Sequence, residues 1–421
     1  MTSSVLKNGA AVLALTVAGA ALPVSAGELV YWSMWNENEP QAEALKEIMA
    51  NYTAANPDTT FNVVWNGRQN QTKLRQALAA RTPVDLMDQD SDQLAGGLQL
   101  QDQLRDLSGD LTDEVKAALL PGVLSLYGQG DTIAQLPYIY NTVNFWYDKE
   151  ALAEIGAPPA TWDDLIALCG AARAADTHLL VIEGNVAFYN AAYFSHYLAR
   201  RNGADAMLAA FADKSGEGWN DPAVLEAAKA GRQLWDAECI AQDARGFQYP
   251  AGQQTIAMGE TVGELVGSWL PTELSATTGP DFGWGAFNFP AVADGKGKTT
   301  DLEVAMVSIA ILKDAPNADE AAGFLNYLMG AEAQTLLAEK GGVGVTRGGV
   351  TWPGALAEAE TAAAEATALT PYGGGLNVLY PEFTSQVLQP EYNRMFLGET
   401  TPEQFVERLV AETKKYWDSQ N

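Results

Sequence analysis

A chain of 421 residues, 47% of them hydrophobic, has enough apolar side chains for the packed cores of two or more ordinary domains, which excludes a disordered polypeptide. Its formal net charge of −28 repels phosphate backbones and anionic headgroups, so nucleic acid is not expected as a partner. The only Cys and His are Cys169, Cys239, His178 and His196, and neither Cys has a metal-ligand pattern beside it, so a Cys/His zinc centre is not expected.

Residues 1–26 read as a signal peptide. Lys7 is their only basic side chain, an apolar run covers 10–22, and Val24-Ser25-Ala26 is a small-x-small cleavage signature. The run is shorter than the roughly 20 residues of a membrane span and stops at Pro23. No Cys near Ala26 offers a lipid attachment point. The expected mature chain starts at Gly27 and is periplasmic and free of the membrane.

The next stretch predicts a β-α-β-α-β series. Residues 28–32 read as a strand. Pro40 opens a helix with Leu45, Ile48, Met49 and Tyr52 at i, i+3, i+4 and i+7, closed by Asn56-Pro57. Phe61, Val63 and Trp65 alternate as a strand, 69–81 reads as a helix, and 84–87 as a third strand. That order implies a parallel, doubly wound sheet with ligands at the carboxyl ends of its strands. The loops expected there are Trp35-Asn36-Glu37-Asn38, Asn66-Gly67-Arg68 and Asp88-Gln89-Asp90, all polar and all opening toward one edge.

Further helices are expected over 191–201, 222–237, 319–340 and 402–417, with a solvated helix over 355–368. Thr161 with Asp164, and Thr401 with Gln404, stand at capping-box spacing. Cys169 and Cys239 could pair in an exported compartment, and the sequence leaves a disulfide and two separate thiols equally open.

Several chemistries are absent. Asp88-x-Asp90-x-Asp92 starts like a calcium loop, but Gln93 and Gln99 stand where glycine and glutamate are needed. The glycine-rich run 341–349 has Arg347 in place of the third glycine of a dinucleotide fingerprint, and no Walker A loop occurs, so no cofactor is expected. No Gly-x-Ser-x-Gly elbow is present. Paired carboxylates among the 53 acidic residues keep a secreted carbohydrate-active enzyme open as an alternative.

Taken together, the motifs resemble the sugar-binding branch of the extracellular solute-binding proteins of ABC transporters, the group that includes maltose-binding protein. The resemblance runs from Leu29-Val30-Tyr31-Trp32-Ser33-Met34-Trp35 through Asn56-Pro57-Asp58 and Pro83-Val84-Asp85-Leu86. Its more specific part is Leu136-Pro137-Tyr138, Trp146-Tyr147-Asp148-Lys149, Pro158-Pro159 and Thr161-Trp162-Asp163-Asp164-Leu165. Ala257-Met258-Gly259, Gly267-Ser268-Trp269 and Phe289-Pro290 follow in order. Departures are small: Val84 separates the proline from the aspartate, and Asp148 stands where family members carry asparagine.

The resemblance implies an α/β, two-lobed periplasmic-binding-protein fold with discontinuous lobes, hinge strands and a cleft between them. The expected lobes are 27–141 with 303–345, and 142–302 with 346–421. It implies a monomeric receptor, not an enzyme, that captures a mono- or oligosaccharide by hinge closure and delivers it to an inner-membrane ABC permease. A receptor for a polyol, an acidic sugar or a compatible solute is the alternative. A sugar needs aromatic platforms and many hydrogen-bonding side chains. The expected ligand contacts are Trp35, Asn36, Glu37, Arg68 and Asp90 from the first lobe and Tyr140 and Asn141 at the first crossing. Glu183, Tyr189, Asn190, Trp269, Arg347 and Tyr372 complete the set.

Overall fold

The computed structural model describes residues 27–128 and 130–420; the signal-peptide reading therefore lies outside the described residues. Strands β1 (Glu28–Ser33), β2 (Thr60–Trp65) and β3 (Leu86–Asp90) alternate with helices Pro40–Ala55 and Asn70–Ala79. β1 pairs in parallel with both β2 and β3. The helical spacing does what it predicts: Leu45, Ile48, Met49 and Tyr52 are all buried.

The rest of the sheet comprises β4 (Leu136–Asp148), β5 (His178–Leu180), β6 (Thr261–Gly267), β7 (Trp284–Phe287), β8 (Asp301–Ile311) and β9 (Ala368–Pro371). Their order is β2-β1-β3-β8-β4-β6-β5, with β7 beside β4 and β9 beside β8. The 13-residue β4 changes partner midway. Its residues Leu136 to Thr142 run antiparallel to β8, and Val143 to Asp148 run antiparallel to β6 and β7. Because β4 and β8 belong to both halves, neither lobe is continuous in sequence.

Two hydrophobic cores meet along β4. One gathers Leu29, Leu45, Ile48, Ile309 and Phe324; the other gathers Phe145, Leu165, Phe194, Leu234 and Leu409. Helix Trp162–Ala174 starts with the capping box of Thr161 and Asp164, and helix Pro402–Ser419 with that of Thr401 and Gln404. Cys169 and Cys239, both fully buried, form a disulfide inside the second core. No described helix is long and apolar enough to cross a membrane.

Two expectations change. Residues 319–340 form two helices, Ala318–Leu328 and Ala331–Gly341, because Gly330 takes an extended conformation and ends the run. Asp88, Gln89 and Asp90 are not a loop; they are the last residues of β3. Asp88 can stay in a central strand because its carboxylate accepts hydrogen bonds from Tyr31 Oη (2.7 Å), Ser33 Oγ (3.1 Å), Met34 N (2.6 Å) and Tyr138 Oη (2.8 Å). Burial raises its pKa, and those four donors oppose the rise.

Candidate ligand cleft

The carboxyl end of β1 runs directly into Met34-Trp35-Asn36, and Asp88 fixes that turn through the Met34 amide. Trp35 is buried and donates its indole N–H to Tyr138 Oη at 2.9 Å. The Arg68 guanidinium lies 4.8 Å over the Trp35 ring and donates to Met34 O (2.9 Å) and Glu39 Oε2 (3.0 Å). Beside it, at the end of β3, Asp90 accepts from Gln93 Nε2 (3.0 Å) and Gln89 Nε2 (3.3 Å). Burial, with the neighbouring Asp92 charge added, raises the Asp90 pKa to about 7, and Arg68 opposes it. Asp92 accepts from Asn377 Nδ2 at 2.5 Å, tying this wall to the C-terminal segment.

The second wall is built at the ends of β5 and β6. Trp269 follows β6, and its ring stacks on Tyr189 with centroids 5.9 Å apart and planes 29° apart. The aromatic row continues through Phe188, 4.6 Å from Tyr189, to Tyr372, 4.9 Å from Phe188. Behind it Glu183 accepts from the Gln253 amide at 2.9 Å, and Glu264 is held well above the ordinary carboxyl range by burial and by the Glu183 charge. The second oxygen of each carboxyl and the Trp269 indole N–H have no partner, while the Gln253 side chain stands against Glu264 and Glu273.

Glu273, on the helix Leu270–Thr278 that follows Trp269, shows that the two walls face one another. It is exposed to solvent, yet desolvation raises its pKa to about 7, opposed by a hydrogen bond from Tyr249 and by the charge of Arg68 from the opposite wall.

The expected ligand contacts thus divide. Tyr189 and Trp269 stack on one wall with Glu183 buried behind them, Arg68 and Asp90 stand on the other, and Tyr372 closes the aromatic row while donating its hydroxyl to Phe188 O at 3.1 Å. Trp35 lies under Arg68 with its polar atom already used, and exposed Asn36 is tied to Glu39 at 2.7 Å. Glu37 stays on the surface, 3.7 Å from Lys46. Tyr140 is buried against Trp352 at 5.5 Å, and Asn141 accepts from Ser268 Oγ at 3.2 Å. Asn190 donates its Nδ2 to Glu183 O and Asn393 Oδ1 and keeps a buried Oδ1 without a partner, and Arg347 donates to Met329 O at 2.7 Å. Sequence reasoning missed Tyr249, Gln253, Glu264 and Glu273. Glu273 was signalled only by its place one helical turn beyond Trp269.

A glycine loop and a buried carboxyl shape the floor. Gly373, Gly374 and Gly375 all have φ between 67° and 75°, and a Cβ on Gly374 would meet Met207 Cγ at 2.5 Å. The Gly373 amide donates to Glu303 Oε2 at 2.8 Å, and Ser195 Oγ donates to the same atom at 3.1 Å. Burial raises Glu303 from 4.5 to about 7, opposed by Ser195, Gly373 and Arg200; its neighbour His196 is lowered to about 3 and stays neutral. A carboxyl with a raised folded pKa contributes stability below its unfolded value that is lost as pH rises toward the folded value. Glu303→Gln is therefore expected to flatten the loss of melting temperature between about pH 4.5 and 7. An unchanged pH profile in thermal melts would contradict this.

The fold and the facing walls define a two-lobed solute-binding protein with an interlobe cleft. The chain belongs to the bacterial extracellular solute-binding protein family, whose family model matches residues 36–335. A lactose-binding protein of Rhizobium radiobacter is 24% identical over 346 residues, covering 76% of this chain and 75% of its own length. The fold matches the solute-binding protein RafE in complex with raffinose at TM-score 0.75, 19% identity and coverage of 92% and 99% of the two chains. It also matches the bacterial solute receptor AcbH, described as preferring β-D-galactopyranose, at TM-score 0.79, 16% identity and coverage of 93% and 100%.

Proposed function

We propose that this protein is the sugar receptor of an ABC importer: it captures a mono- or oligosaccharide between its lobes and delivers it to a membrane permease. The observation that carries the reading is the Tyr189–Trp269 stack, set beside unpaired hydrogen-bonding groups and opposite Arg68 and Asp90. Stacked rings suit the C–H faces of a sugar, while the unpaired carboxyl oxygens and indole N–H suit its hydroxyls. The sugar names of the relatives agree with this chemistry.

In this reading residues 27–141 with 303–345 form one lobe and 142–302 with 346–421 the other, hinged where β4 changes partner between Thr142 and Val143. A ligand that touches both walls favours the closed state, and that state is what a permease would recognise. The receptor acts as a monomer in the periplasm.

Trp269→Ala is expected to weaken sugar binding by about 1–3 kcal/mol, roughly a 5- to 150-fold rise in Kd, with the melting temperature of the free protein retained. Calorimetric titration of the variant reads this directly; wild-type affinity would remove Trp269 from the site. Recovery of the sugar unchanged separates a receptor from a carbohydrate-active enzyme.

A further inference from the structure

We propose that Gly267 is a positioning residue of the cleft: the Trp269 ring lies in the space where a side chain at 267 would be, and that placement holds the ring in its stack with Tyr189. The inference rests on the reading of the cleft as a sugar site.

Gly267 is the last residue of β6 and pairs with Val143, where β4 passes from β8 to β6. It is buried, and its φ lies outside the left-handed region, so the backbone there would accept any residue. What forbids a side chain is Trp269. The three atoms nearest to a Cβ on Gly267 would be Cζ3, Cε3 and Cη2 of the Trp269 ring, all far inside the roughly 3.5–4.0 Å at which carbon atoms rest against one another. The indole therefore folds back over the end of the strand that precedes it.

The backbone on both sides of this contact is held. β6 is buried along its whole length, and the Ser268 amide donates to Thr142 O at 2.9 Å while its hydroxyl donates to Asn141 Oδ1 at 3.2 Å. Trp269 O accepts from the Glu273 amide at 3.0 Å and so opens the helix Leu270–Thr278. A methyl group at 267 is then relieved by rotation of the indole about its side-chain bonds, and that rotation takes the ring out of its stack with Tyr189, 5.9 Å away between centroids. The first member of Gly267-Ser268-Trp269 thus sets the place of the third.

The test compares wild type, Gly267→Ala, Trp269→Ala and the double variant. Near-UV circular dichroism and urea unfolding are recorded without ligand, followed by calorimetric titration with lactose and raffinose. Gly267→Ala is expected to change the near-UV spectrum, to lower the urea midpoint and to raise Kd roughly 5- to 150-fold, the range expected for Trp269→Ala. With the ring gone the methyl group has room. In the Trp269→Ala background Gly267→Ala should therefore leave spectrum and midpoint unchanged and alter Kd by less than about twofold. If Gly267→Ala alone does not fold, the double variant should. A midpoint loss from Gly267→Ala that is the same with and without Trp269, or a single Gly267→Ala variant with wild-type spectrum and midpoint, overturns the inference. Binding of neither sugar by the wild type counts against the sugar reading, and the measurements without ligand still decide the role of Gly267.

Discussion

Asp88→Ala is expected to destabilise the protein by about 3–5 kcal/mol, the range for removing one partner of a buried charged network. The substitution leaves Tyr31 Oη, Ser33 Oγ, the Met34 amide and Tyr138 Oη facing an apolar gap, and Tyr31 and Tyr138 are themselves fully buried. It also frees the turn that carries Trp35 and Arg68 to the cleft. Asp88→Asn keeps one acceptor oxygen and should cost less. Urea unfolding of both variants measures the difference, and a loss below about 1 kcal/mol for the alanine variant would show that the network carries little.

Breaking the Cys169–Cys239 bond is expected to cost about 4 kcal/mol, since it closes a loop of 70 residues and restricts the unfolded chain accordingly. The loop contains helix Ala187–Asn202, with Tyr189, and the glutamate Glu183, so the loss falls on the second wall of the cleft. Unfolding of Cys169→Ala with Cys239→Ala, compared with the oxidised protein, reads the effect. Equal stability of the two would mean that the reduced chain is already restrained in its unfolded state.

Alternation and helical spacing are local properties, and where they set the structure the sequence was legible: β1, β2 and the helix from Pro40 follow their apolar residues. Asp88 was not legible as a strand residue, because a charged side chain reads as solvated until its four donors, 50 to 57 residues away, are in place. The disulfide needed a Cα separation of 4.7 Å that no spacing reveals. The cleft divides the same way. Trp269 was marked by Gly267-Ser268-Trp269, whereas Glu273 and Gln253 look like ordinary solvated helix residues until the opposing lobe brings Arg68 across from them. Arg347 shows the converse: a polar residue at a suggestive position whose guanidinium is spent on Met329 O.

The central claim is that the cleft holds a sugar without altering it. A thermal-shift screen of residues 27–421 against sugars, polyols and polar osmolytes tests it most directly, because a ligand that binds only the folded state raises the melting temperature. The account predicts a rise with one group of saccharides and recovery of the sugar unchanged. No rise with any saccharide, or consumption of the one that binds, would contradict it.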